Sequence, residues 1–212
     1  MKKFEYIVKT YLPSENLCVM YIGANTGQEL EYFFKYFKNA SIYCFEPLKR
    51  TVVVLEETIS NLKEKYPDVD LNIEVINKAV CNTDGDIEIW HDPKSPTHQS
   101  ATIMPLPHPG DKSHHHIDKM MVKGIKLDTF IQEKKIDKID LIYADVEGAQ
   151  GPLIDGADKA LQISDYLYIE TDGWWGGLNL DGIKERLKDK FSVELRLSHD
   201  TFFTRKGWER RT

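Results

Sequence analysis

Short apolar runs alternate with segments of helical period along most of this chain. That alternation restricts it to a largely parallel sheet with helices packed on both faces. The first run, Leu17–Ile22, precedes Leu30, Phe33, Phe34 and Phe37, which share one helix face at the i, i+3, i+4, i+7 spacing. Residues 41–45 form a second run, followed by a helix carrying Val52, Leu55, Ile59 and Leu62 on one side. Residues 71–76 form a third, followed by a turn at Asp84-Gly85 between short β-like pieces. Residues 139–144 form a fourth, leading to a helix with Pro152 in its first turn, where the missing N–H costs nothing. Residues 166–169 form a fifth, before a helix bearing Leu180, Ile183 and Leu187. The chain then changes character. Residues 192–197 and 201–204, joined by Ser198-His199-Asp200, read as an antiparallel pair at a sheet edge.

No linker or internal repeat divides the 212 residues, so one domain over 1–212 is expected. Residues 91–126 break the rhythm; they are rich in proline and histidine and show little periodicity. An irregular stretch of that length in a compact domain is usually functional or disordered, and we expect it to cover the acceptor side of a ligand crevice. A formal charge of −6 argues against a general nucleic-acid binder. Cys18, Cys44 and Cys81 form no C-x-x-C pair, which suits reduced thiols. The N-terminal residues lack the apolar stretch of a secretory leader, and no apolar run approaches the ~20 residues that span a bilayer. The expected setting is the cytoplasm, without membrane insertion.

The segment YIGANTGQE closes the first strand and opens the first helix. In open α/β sheets the ligand crevice lies at the carboxyl ends of the strands. Gly23 and Gly27 let the backbone turn sharply and approach a ligand closely. Thr26 and Glu29 have the spacing of a capping box, so the helix is expected to begin there. The G-x-x-x-G spacing is neither the dinucleotide fingerprint nor the phosphate loop, and alone it also fits a tight turn with no ligand. Glu46, at the end of the second run in CFEP, lies about 20 residues beyond Gly27, the offset at which a carboxylate can grip both ribose hydroxyls. A carboxylate there repels phosphate, so a nucleoside-bearing ligand is expected.

YIGANTGQE, CFEP, NKAVCNTDGDIEIW, IKLDTF and IDLIYADVEGAQ stand in the order and spacing of the FkbM-type methyltransferases. From about Leu17 onward the chain resembles that family. The resemblance implies an α/β, class I methyltransferase (Rossmann-like) fold, with a mostly parallel seven-stranded sheet and an antiparallel C-terminal strand pair at its edge. It implies S-adenosylmethionine as methyl donor, and a hydroxyl of a carbohydrate or other small metabolite as acceptor. By position, Gly23, Ala24, Asn25 and Gly27 would line the methionine part of the donor, and Glu46 would bind the ribose. Asn77, Lys78, Ala79 and Val80 would lie near the adenine, and Tyr21 and Asp145 join the donor-site candidates. Two positions depart from the family. Tyr21 stands where an acidic residue is usual, and Gln150 ends DVEGAQ with an amide in place of a carboxylate.

An alcohol is a poor nucleophile until its proton is removed or polarised, which calls for a base or a metal. The end of the fourth strand offers Asp145 and Glu147; the end of the fifth offers Glu170 and Asp172. These carboxylates can raise one another's pKa, hold Mg²⁺ or Mn²⁺, or cap the following helices. Asp145 and Glu147 are the preferred pair. His98 and His108 are further candidates for the base, whereas the consecutive His114, His115 and His116 cannot all face one metal. Trp174 and Trp175, between Gly173 and Gly176, either stack on a sugar ring or pin their loop to the core. Two other classes remain beside an O-methyltransferase: a non-catalytic nucleoside- or glycan-binding scaffold, and a nicotinamide-linked oxidoreductase, which the missing G-x-G-x-x-G weakens.

Overall fold

A computed structural model describes residues 3–13, 15–91, 101–103, 118–173 and 177–207. The chain opens with helix α1 (Lys3–Tyr11), then alternates through β1 (Leu17–Ile22), α2 (Leu30–Tyr36), β2 (Asn39–Phe45), α3 (Lys49–Lys65) and β3 (Asp70–Ile76). Three strands follow, β4 (Ala79–Val80), β5 (Gly85–His91) and β6 (Asp118–Ile125). The second half runs through α4 (Leu127–Lys134), β7 (Ile139–Ala144), α5 (Gln150–Asp155), α6 (Asp158–Gln162) and β8 (Ser164–Glu170). It ends with α7 (Leu180–Leu187), β9 (Phe191–Arg196) and β10 (Asp200–Arg205).

The main sheet has seven strands in the order β3-β2-β1-β7-β8-β10-β9. The first five are parallel; β10 runs antiparallel to both β8 and β9. Every residue of β7 is buried, as a strand covered on both faces must be. Phe4, Ile7, Phe33, Phe34, Leu55 and Ile59 of α1, α2 and α3 fill one face. Phe130, Leu153, Leu161, Ile183 and Leu187 of α4 to α7 fill the other. Each such apolar side chain contributes about 1.5–3 kcal/mol on burial, which is what holds helices this short in place. No helix among the described residues is long and apolar enough to cross a membrane.

The structure corrects the sequence expectations in four places. Helix α2 begins at Leu30, with Glu29 as its N-cap and no side-chain cap, so Thr26 and Glu29 form no capping box. Gly27 (φ +81) breaks the chain's direction between them, and Glu29 is drawn away to Tyr21. Second, α1, α4 and α6 are helices not anticipated. Third, part of the stretch read as irregular is regular: β6 pairs from Asp118 to Gly124 with β5. Fourth, β4 and β5 do not pair with each other across Asp84-Gly85; both flank β6 in a separate three-stranded sheet.

This small sheet docks on the main body beside Gly156, where a Cβ would lie 2.0 Å from the carbonyl oxygen of Cys81. Gly156 has φ −95, an ordinary conformation for any residue, so only crowding restricts it. Gly156→Ala should therefore destabilise the protein by about 1–3 kcal/mol through overpacking alone. Chemical denaturation checks this, and an unchanged midpoint would show that the two sheets are not docked through this contact.

Candidate active site

Strands β1 and β7 lie side by side with Ile22 opposite Ala144. Just past them Gly23, in the left-handed region at φ +73, passes so close to the next strand end that a Cβ would sit 1.8 Å from the Asp145 carbonyl oxygen. Only glycine fits. The N–H groups of Gly23 and Ala24 both donate to the Phe45 carbonyl, at 3.0 and 2.9 Å, tying the loop to the end of β2. Glu46 is held next to it. Its carboxylate accepts from the Asn25 N–H at 3.1 Å and the Leu48 N–H at 2.9 Å. Asn77 Nδ2 donates to the Glu46 and Pro47 carbonyls, fixing the backbone there. Only 6% of Glu46 is exposed, and burial pushes its carboxyl up to about 7 against the two N–H bonds.

These strand ends border a cleft in two adjoining parts. One is lined by Glu46, Lys78, Ala79, Ile89, Thr102 and Ile103, a mixed polar and apolar wall. The other opens beside Tyr21, Gln28 and Glu29. Gly23, Asn25, Asp145 and Glu147 border both parts.

Acids crowd this end of the sheet. Asp145 is reached by solvent through the cleft, yet enough protein surrounds its carboxyl that burial, with the charges of Asp200, Glu29 and Asp172, raises it to about 6. Burial raises Glu170 to about 9, aided by Asp145, Glu147, Asp172 and Asp200. Gln150 is fully buried and donates from Nε2 to Glu170 at 3.2 Å. Tyr21 donates to Glu29 at 2.6 Å, and Tyr168 to Asp200 at 2.8 Å. His199 Nδ1 lies 3.3 Å from Asp172. Among the described residues, no three His, Cys, Asp or Glu side chains are arranged to hold a metal ion. Cys18 and Cys44, pushed up to about 12 by burial, are inert thiols.

The structure brings Tyr21, Gly23, Asn25, Glu46, Lys78, Ala79, Asp145 and Glu147 to the cleft. Ala24 and Gly27 turn into the core: a Cβ on Gly27 would meet Leu30 and Leu55 at 2.9 Å. Asn77 braces the backbone of Glu46 and Pro47, and Glu170 accepts a hydrogen bond from Gln150. Helix α5 starts with Ala149 as N-cap, so neither Asp145 nor Glu147 is its N-cap residue. His98, His108, His114, His115, His116, Trp174 and Trp175 lie outside the described residues. So does most of the expected cover; of it, residues 101–103 line the cleft and 118–125 form β6. Sequence reasoning missed Glu29 as a cleft residue and Asp200 as a member of the acidic group. The first was read as a cap, and the second lies on a strand whose position only the sheet order reveals.

A family model described as Methyltransferase FkbM domain matches residues 22–191. The 2-O-methyltransferase NoeI of Sinorhizobium fredii (strain NBRC 101917 / NGR234) is 27% identical over 158 residues, covering 72% of this chain and 62% of that protein. The methyltransferase FkbM structure from Methylobacillus flagellatus KT superposes with a TM-score of 0.59 at 14% identity, over 91% of this chain and 44% of that one. M. capricolum TrmK, in complex with S-adenosyl-homocysteine, superposes at 0.51 with 10% identity, over 98% and 69%. At such identities the solved structures speak for the fold alone. The match spans less than two thirds of the length of NoeI and of the Methylobacillus protein.

Burial of Glu46 has a consequence for stability. The folded chain holds this proton more tightly than the unfolded chain, whose value is near 4.5. Stability should therefore fall as pH rises from about 4.5 through about 7, by about 3 kcal/mol from this group. Glu46→Gln removes the titration, so its stability profile should be flatter than the parent's across that window. Thermal melts on both proteins at matched pH check this; parallel profiles would show that Glu46 does not titrate there.

Proposed function

The chain belongs to the FkbM methyltransferase family, and from that premise we propose that it transfers a methyl group from S-adenosylmethionine to a hydroxyl of a carbohydrate or another small metabolite. Family membership supports a methyltransferase over the non-catalytic scaffold. The observation that carries the reading is the junction of the cleft, where Asp145 and Glu147 border both parts. The residues fit such a donor. Glu46 offers a pinned carboxylate to a ribose, beside walls formed by Ala79, Ile89 and Ile103. Gly23 leaves open backbone where a side chain would collide. The carboxylates of Glu29, Asp145 and Glu147 bordering the second part suit a positively charged sulfur.

When bound, the donor supplies an electrophilic methyl group; the protein must orient the acceptor oxygen in line with it and take its proton. Asp145 is assigned the proton. Its carboxyl titrates at about 6, so it is ionised at neutral pH and far closer to working pH than an ordinary aspartate. Glu170 keeps its own proton up to about 9, which limits the negative charge near Asp145. The name of NoeI, a 2-O-methyltransferase, favours an oxygen acceptor. The net charge of −6 and the acid-lined cleft argue against phosphate-rich acceptors such as nucleic acid. Three free cysteines suit a reducing compartment, and we place the reaction in the cytoplasm.

Asp145→Asn and Glu147→Gln preserve shape while removing charge. If Asp145 takes the acceptor proton, its substitution should slow turnover by roughly 10²–10⁴-fold in donor excess, with donor affinity changing far less. The parent's rate should rise with pH through about 6 as Asp145 ionises. A panel of hydroxylated acceptors provides the assay, with melting temperatures on the same samples. EDTA sensitivity separates a metal-assisted reaction from a bare base. Parent-like turnover by both variants would move the base elsewhere.

A further inference from the structure

The departure at Tyr21 points to a rearranged contact in the second part of the cleft. This part is bordered by acids, and its residues fall into two groups. Asp145 and Glu147 also border the first part, so they stand at the junction. Gln28 and Glu29 border the second part alone, whereas Glu46 borders the first alone. Tyr21 is fully buried in the sheet, edge-on to Tyr143 at 5.0 Å between ring centroids, so its hydroxyl is a fixed donor. That hydroxyl holds one oxygen of Glu29 at 2.6 Å. The chain thus places a carboxylate beside the end of β1 from the turn before α2, although the strand itself carries none.

S-adenosylmethionine has a matching order of groups. From the ribose one passes to the sulfonium, then along two methylenes to a carbon bearing an ammonium and a carboxylate. With the ribose at Glu46 and the sulfur at the junction, the amino-acid end falls beside Gln28 and Glu29. We propose that Glu29, held by the Tyr21 hydroxyl, receives the donor's ammonium group and supplies the carboxylate that Tyr21 displaces from β1. This rests on the donor reading above and assigns one residue within it. Tyr21 is a positioning residue here: it touches Glu29 and orients it. A hydrogen-bonded ion pair of this kind is geometrically selective, since Glu29 has one oxygen held and the other available to the ammonium.

Two nucleosides separate this contact from donor binding at large. S-adenosylhomocysteine carries the amino-acid group; methylthioadenosine keeps the adenosine and the sulfur and lacks it. Calorimetry on the intact protein should find that Glu29→Gln weakens S-adenosylhomocysteine by roughly tenfold or more, while methylthioadenosine changes by less than about twofold. Tyr21→Phe should reduce the same preference by a smaller factor, and it carries the test if Glu29→Gln folds poorly. A purely structural role for Glu29 would weaken both nucleosides together, and that overturns the inference. An unchanged preference in Glu29→Gln, with loss in Asp145→Asn or Glu147→Gln, also overturns it and moves the ammonium to the junction. If the parent binds neither nucleoside, the donor reading falls and this inference falls with it.

Discussion

The cleft depends on the contact between Gly23 and the Asp145 carbonyl, where the first strand of each half of the sheet ends. β1 leads outward through β2 to β3, and β7 leads the other way through β8, so the connections after β1 and β7 leave in opposite directions. A crevice must open at such a point. How far it opens is set by the 1.8 Å that separates a notional Cβ on Gly23 from the Asp145 oxygen. Any larger residue would push the two loops apart. Glu46, Asn25, Asp145 and Glu147 would then lose their common border, because Gly23 and Ala24 also carry the bonds that tie this loop to Phe45.

Beneath the cleft a row of aromatic residues crosses four strands in register: Tyr21 opposite Tyr143, Tyr143 opposite Tyr168, Tyr168 opposite Phe202. Tyr143 and Tyr168 stack at 4.8 Å, and Phe4 of α1 closes over both. The row is a rigid floor with polar tips, and two of those tips fix acids, Glu29 and Asp200. The opposite end of the sheet is built differently. There the buried Asp140 and Asp165 are matched by Lys138, and Asp165 also by Arg205 at 2.9 Å. At the cleft, burial first and neighbouring acids second raise the carboxyls of Asp145 and Glu170, an environment that favours an incoming cation.

Much of the architecture was legible in local patterns. The apolar runs of β1, β2, β3, β7 and β8 and the helix faces of α2, α3 and α7 obey simple periods, because burial on a sheet face or helix stripe repeats at 2 or 3.6 residues. Helix α1 also carries that spacing at Phe4, Ile7, Val8 and Tyr11. β6 was hidden because its residues alternate weakly and follow a long irregular stretch. Its partner β5 lies far back in the chain, and pairing across that separation leaves no local mark.

The site divides along the same line. Sequence alone determined the glycines of the β1 loop, the carboxylate at the end of β2 and the acids ending β7 and β8, since each follows a strand whose end is marked by its own residues. Only the tertiary structure decided which of these meet. It turned Ala24 and Gly27 into the core and set Asn77 as a brace on the Glu46 backbone. It also gave Glu170 a hydrogen bond from the buried Gln150. The same spacing that reads as a capping box at Thr26 and Glu29 became a tyrosine-held carboxylate. A hydrogen bond goes to the partner that three-dimensional packing brings within 3 Å, and here a buried hydroxyl on β1 won Glu29 from its own helix.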